Sequence, residues 1–269
     1  MEALAWRPDR SAIETSVSII ICHLEQTLQS FFFGTSPQKL YGTINRATSQ
    51  NSGALICTSW GPEAQASHRV LNVLAARLAE AGTNAMRFDY YGCGDSYGSG
   101  MDVSLQSLSE STHSAIEEIR DSEQVSELSV IGYRLGAIPA LKIANDSMLP
   151  VVLIDPVLDG RTWLTELRSG IFSPMRKSGD MHEAGGYCAS QNFIDELEST
   201  NVEISLAQSA QVSVIISSAN SGVKLPPDCD IVLCESRSTW LLTGGVGLAP
   251  IPVKLIDTVV TKVRNSVQP

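Results

Sequence analysis

Short apolar runs and segments of helical period alternate along most of this chain. Ala54–Thr58 (A-L-I-C-T), Asn84–Phe88, Leu128–Ile131 and Pro150–Ile154 are compact and largely apolar, the pattern of strands covered on both faces. Between the first two, Ser67–Ala81 places Val70, Leu71, Val73, Leu74 and Leu78 at helical spacing with Arg69 and Arg77 facing out, and Gly82 ends the run. Leu105–Arg120 reads as a second amphipathic helix and Ala137–Asn145 as a third. Strand, helix, strand, helix at this spacing predicts right-handed crossovers and a mostly parallel sheet with helices on both faces.

The flanking segments extend this plan. Val17–Cys22, Ser30–Phe33 and Lys39–Asn45 are short apolar or alternating runs broken by Gly34-Thr35-Ser36-Pro37, and they predict an antiparallel lead-in. Val212–Ser217 and Ile231–Cys234 read as the last strands and Ile251–Arg264 as the closing helix. From Val157 to about Ser199 the pattern weakens, Gly179, Gly185 and Gly186 interrupt it, and Arg161, Arg168, Arg176 and Lys177 gather. We expect a core of residues 1–156 and 201–269 with a cap or lid inserted at 157–200.

Composition narrows the function classes. Of 269 residues, 43% are hydrophobic, enough for a buried core. The net charge of -10 argues against nucleic-acid grooves and anionic membrane surfaces, both of which need basic patches. Six cysteines lack C-x-x-C spacing and the four histidines show no ligand spacing with them, so neither a metal nor a cofactor is expected. The N-terminus opens with Trp6, Arg7, Asp9 and Arg10, without a secretory pattern, and Val17–Cys22 is too short to span a bilayer. Reduced thiols and a cytoplasmic location without membrane insertion are therefore expected, with a homodimer left open.

The stretch that bears most on chemistry is Val130–Ala137, V-I-G-Y-R-L-G-A. A strand, a tight turn with a glycine on either side and a helix is the layout of the nucleophile elbow, G-x-S-x-G. Its central position holds Arg134 rather than Ser, Cys or Asp. A guanidinium stays protonated and cannot attack a carbonyl.

Four segments carry a family resemblance: W-G-P-E-A-Q-A-S-H-R-V-L-N-V-L-A-A-R-L-A-E-A-G (60–82), R-F-D-Y-Y-G-C-G-D-S (87–96), I-G-Y-R-L-G-A (131–137) and I-D-P-V-L-D-G-R-T-W-L (154–164). In this order they resemble the α/β-hydrolase superfamily, in its serine-aminopeptidase-like branch. The G-x-R-L-G-A turn followed by D-P-V-L-D-G is similar to hydrolase-like proteins associated with exosortase systems and biosynthetic clusters. The resemblance implies an α/β-hydrolase fold: a mostly parallel eight-stranded sheet, helices on both faces, a small cap and a site at the strand ends. It does not carry over a triad. Arg134 stands at the Ser position, no carboxylate follows Val212–Ser217 until Asp228, and no histidine follows His182.

The candidate site residues follow from that layout. Arg134 is either an anion anchor, offering two parallel hydrogen bonds to a carboxylate or phosphate, or half of a structural ion pair with Asp155 or another acid. Leu135 and the Trp60-Gly61 loop supply the backbone N–H groups that the resemblance assigns to an oxyanion hole. Glu63 and His68 are an acid/base pair in one reading, a turn residue and a helix-start residue in the other. Trp60, Tyr133, Trp163, Arg237 and Trp240 are pocket-lining candidates, with cap packing as the alternative for Trp60, Tyr133 and Trp240 and a surface loop for Arg237. Asp95 and Ser96 are expected to fix the glycine loop, and nothing basic in sequence activates Cys93.

Two functions remain open. The first is an enzyme acting on a small or medium acyl or acidic substrate without an acyl-serine, by elimination, cyclisation, decarboxylation or water-mediated hydrolysis in a biosynthetic pathway. The second is a catalytically silent protein that binds a ligand or a partner protein. An Arg134 that faces a pocket lined by Trp60, Trp163 or Trp240 supports the first; an Arg134 sealed against an acid supports the second.

Overall fold

The computed structural model describes residues 28–48, 51–168, 175–202, 211–217, 229–234 and 251–267. Val17–Cys22, Arg237 and Trp240 lie outside the described residues. Eight strands form one sheet: β1 (Leu28–Phe33), β2 (Leu40–Asn45), β3 (Ser52–Cys57), β4 (Asn84–Phe88), β5 (Glu127–Tyr133), β6 (Val151–Ile154), β10 (Val212–Ser217) and β11 (Asp230–Cys234). Their spatial order is β1-β2-β4-β3-β5-β6-β10-β11. β2 runs antiparallel to β1 and to β4, and the other neighbours are parallel.

Successive side chains of a strand point to opposite faces, so the buried strands split their residues between two layers. Leu55, Val130, Leu153 and Val214 face one way and join Leu108, Ile116, Ile119 and Leu141 from α2 (Leu105–Glu123) and α3 (Ala137–Ser147). Ile56, Ile131, Val152 and Ile215 face the other way. They meet Val70, Leu74 and Leu78 of α1 (Pro62–Glu80) and Ile256, Val259 and Val263 of α6 (Val253–Val267). This division is why the strand sequences read as unbroken apolar runs rather than as alternation.

Between β6 and β10 the described residues hold α4 (Gly160–Arg168), a separate antiparallel sheet of β7 (Arg176–Ser178), β8 (Met181–Ala184) and β9 (Tyr187–Ser190), and α5 (Gln191–Ser199). One correction concerns α1. It begins at Pro62, not near Ser67, because proline at the first helical position needs no hydrogen-bond partner and Gly61 takes up φ 70 just before it.

Candidate functional site

β5 ends at Tyr133, and one 3-10 turn, Arg134–Gly136, leads directly into α3. Arg134 sits at φ 50, a left-handed conformation that disfavours a side chain with a Cβ by about 1–2 kcal/mol. Both flanking glycines are needed for close approach. A Cβ on Gly132 would lie 2.7 Å from Ala137 Cα and 2.9 Å from Ala140 Cβ, and one on Gly136 would collide with the carbonyl oxygens of Cys57 and Thr58.

The guanidinium is held by carboxylates. Nε and Nη2 donate to Glu63 Oε1 at 3.1 and 2.8 Å, and Nη2 also donates to Glu166 Oε2 at 2.7 Å. Arg134 is 2% exposed and Glu63 4%, while the Glu166 side chain is 51% exposed at the rim. Burial pulls the arginine pKa down, but the adjacent Glu63 and then Glu166 outweigh it, so the guanidinium holds its proton more tightly than usual. Among the described residues, two carboxylates therefore meet the Arg134 guanidinium.

The backbone donor beside it is also engaged. Leu135 N–H points to Ser59 Oγ at 3.4 Å, and Ser59 in turn donates to Glu63 Oε2 at 2.7 Å. Glu63 thus links the loop after β3 to the turn after β5. It sits in the first turn of α1, where the helix dipole also favours a carboxylate.

The sequence-derived candidates separate into several places. Glu63 and His68 do not form an acid/base pair: both lie on α1, and five residues rotate about 140° around a helix axis. That leaves Glu63 buried and His68 exposed, its Nδ1 3.4 Å from Asn72 Nδ2. The acids that meet Arg134 are Glu63 and Glu166; Asp155, the acid named for that place, pairs elsewhere. Asp155 is fully buried at φ 44, and its Oδ1 accepts the Ser217 N–H at 2.8 Å, tying the ends of β6 and β10 together. Glu166 escaped the sequence reading, although it stands one helical turn after Trp163, a spacing that puts the two on one side of α4.

Tyr133 is buried in the layer beneath α1 and α6 and packs as a sheet-core residue. Trp60 is the hub of an aromatic cluster, with ring centroids 5.6 Å from Phe193, 6.2 Å from Tyr187 and 6.3 Å from Trp163. Trp163 is thereby buried against Trp60. In the glycine loop the fixing side chain belongs to Asp89 rather than Asp95: Asp89 Oδ2 accepts the Asp95 N–H at 2.9 Å. Ser96 does act locally, its Oγ donating to Asp89 O at 2.6 Å and accepting Tyr41 N–H at 2.8 Å. The Cys93 thiol is pushed up to about 12 by burial and then by Asp89, which leaves it protonated.

A cavity of about 630 Å³ opens next to this assembly, on the α1 side of the sheet. Trp60 and Gly61 border it, whereas Arg134, Glu63 and Leu135 do not line it. Among the described residues no group of three or more His, Cys, Asp or Glu could hold a metal ion, and no helix is long and apolar enough to cross a membrane.

No protein-family model matches the sequence, and no curated protein is similar to it. Solved structures are similar in fold. Est1E from Butyrivibrio proteoclasticus, solved with ferulic acid bound, superposes with a TM-score of 0.64 at 15% identity, over 87% of this chain and 96% of that one. The α/β hydrolase GrgF from Penicillium sp. sh18 gives 0.62 at 14% identity, over 89% and 99%. An α-β serine hydrolase homologue from Coxiella burnetii gives 0.54 at 14%, over 88% and 96%. With its mixed eight-stranded sheet, flanking helices and strand–turn–helix at β5, the chain has the α/β-hydrolase fold.

Proposed function

We propose that this chain is a catalytically silent α/β-hydrolase-fold protein that serves as a ligand-binding module, with residues 157–200 as its cap. The observation that carries this reading is the buried Arg134–Glu63 ion pair with Glu166 at its rim. It stands where the nucleophile elbow would present a serine, and it supports the second of the two functions left open by the sequence. A guanidinium already held by two carboxylates is a poor anchor for an acidic substrate. A Leu135 N–H directed at Ser59 is likewise engaged where an oxyanion would sit. Ligand capacity comes from the neighbouring cavity, whose volume lies within the range of small-molecule sites.

The test is exposure to a serine-directed fluorophosphonate together with a panel of nitrophenyl esters. We expect no labelling and no turnover above buffer. Stoichiometric labelling, or turnover lost on changing one serine, overturns the reading.

One observation favours the alternative, a biosynthetic enzyme of non-acyl-serine chemistry on an acyl or acidic substrate. Asp89 lines the cavity, and burial raises its pKa while the nearby His68 and Arg87 lower it only in part. A carboxyl group with raised proton affinity in a cavity is suited to proton transfer. Cytoplasmic placement belongs to the same proposal, in keeping with the free thiols of Cys57, Cys93 and Cys188.

A further inference from the structure

The floor of the cavity is a row of side chains running across four strands. Ser30 on β1 is paired with Thr43 on β2, Thr43 with Arg87 on β4, and Arg87 with Ile56 on β3. Residues in register across a sheet present their side chains to one face, and all four line the same cavity. The opposite wall is α1, which contributes His68, Leu71 and Asn72.

Arg87 is the unusual member. Its Nε is buried and has no hydrogen-bond partner, and burial pulls its pKa down, with Asp89 and Tyr41 compensating through space. A desolvated guanidinium nitrogen without an acceptor costs free energy that a ligand oxygen would recover. Facing it across the cavity, Asn72 Oδ1 is also buried and without a partner. The Ser30 and Thr43 hydroxyls are 3.3 Å apart beside this pair and add donors on the floor. Ile56 and Leu71 give the same space an apolar surface.

We propose that this cavity is a binding site for a small organic acid, with the ligand carboxylate on Arg87 and its apolar body against Ile56 and Leu71. The proposal rests on the ligand-binding reading above but not on the absence of catalysis. The site lies along the strands under α1, displaced from the turn that holds Arg134. Arg87 succeeds as an anion anchor where Arg134 does not, because no carboxylate is within ion-pair distance of Arg87 among the described residues. Asp89, two residues further along, acts on it without touching it.

The test compares 3-phenylpropanoate with 3-phenylpropanamide by ligand-observed NMR and calorimetry on the full chain. We expect the acid to bind at least tenfold more tightly than the amide. Arg87→Gln should abolish that preference while leaving amide binding within about threefold, and circular dichroism should confirm that the variant is folded. Ala64→Phe, which fills the cavity from the α1 wall, should abolish binding of both probes and covers the case in which Arg87→Gln does not fold. Equal affinity for acid and amide, or acid binding indifferent to Ala64→Phe, overturns the proposal. Fluorophosphonate labelling of a protein that still shows Arg87-dependent acid binding would remove the silent reading and leave this site standing. An unlabelled protein that binds neither probe would do the reverse.

Discussion

Glu63 and Arg134, 71 residues apart in sequence, meet at 2.8 Å with both side chains nearly sealed from solvent. Removing one partner of such a pair strands the other as an uncompensated buried charge, which costs about 3–5 kcal/mol, whereas replacing both with apolar groups is often neutral. Arg134→Met alone and Glu63→Leu alone should each destabilise by that order, and the double variant by clearly less. Urea denaturation of the four proteins forms the cycle. Additive losses would mean that the pair is not coupled.

Glu166 belongs to the same cluster but stands half in water. Exposed ion pairs contribute about 0–1 kcal/mol, so Glu166→Gln should cost no more than about 1 kcal/mol. A loss matching that of Glu63→Leu would place Glu166 at the heart of the cluster rather than at its rim.

Trp60 holds Trp163, Tyr187 and Phe193 together. Trp60→Ala should cost about 3–5 kcal/mol by the usual measure of large-to-small core changes. Because its three partners all come from residues 157–200, the same variant should be cut faster by trypsin between Arg161 and Lys177. Unchanged cleavage kinetics there would separate Trp60 from the docking of that segment.

Asp89 supplies a pH dependence. Burial raises its pKa above the ordinary carboxylate value, against the lowering by the Asp95 backbone N–H and by His68 and Arg87. A carboxyl that binds its proton more tightly in the folded state weakens the fold above that raised pKa, and the penalty fades as pH falls through it toward about 3.9. Asp89→Asn should therefore be at least as stable as wild type at pH 8 and lose its advantage at acidic pH. Denaturation midpoints at both values decide it; an advantage that grew on acidification would reverse the sign.

Much of the architecture was legible because it depends on composition within single elements. The largely apolar runs at Ala54–Thr58, Leu128–Ile131 and Pro150–Ile154 read as strands covered on both faces, and β3, β5 and β6 lie at those places. The turn at Gly132–Gly136 was readable for the same reason, since two glycines bracketing one bulky residue signal close backbone approach. The site was less legible because it depends on which residue meets which across long separations. The acid named as a partner for Arg134, Asp155, is near in chain order and chemically suitable, but Glu63 reaches Arg134 because α1 starts five residues earlier than periodicity suggests. The periodic signal begins at the first buried apolar residue, and the amphipathic pattern says nothing about a helical turn headed by Pro62 and Glu63. Arg87 was quoted only as part of a motif, because cross-strand register, which places it beside Thr43 and opposite Asn72, is not written in any one segment.

The row of Ser30, Thr43, Arg87 and Ile56 has a practical corollary for engineering. Each member sits on its own strand with its Cα anchored by ladder hydrogen bonds, about 4.8 Å from the next. Ligand preference could then be rewritten one tooth at a time, as in a comb, by exchanging a single strand side chain such as Thr43 without rebuilding any loop.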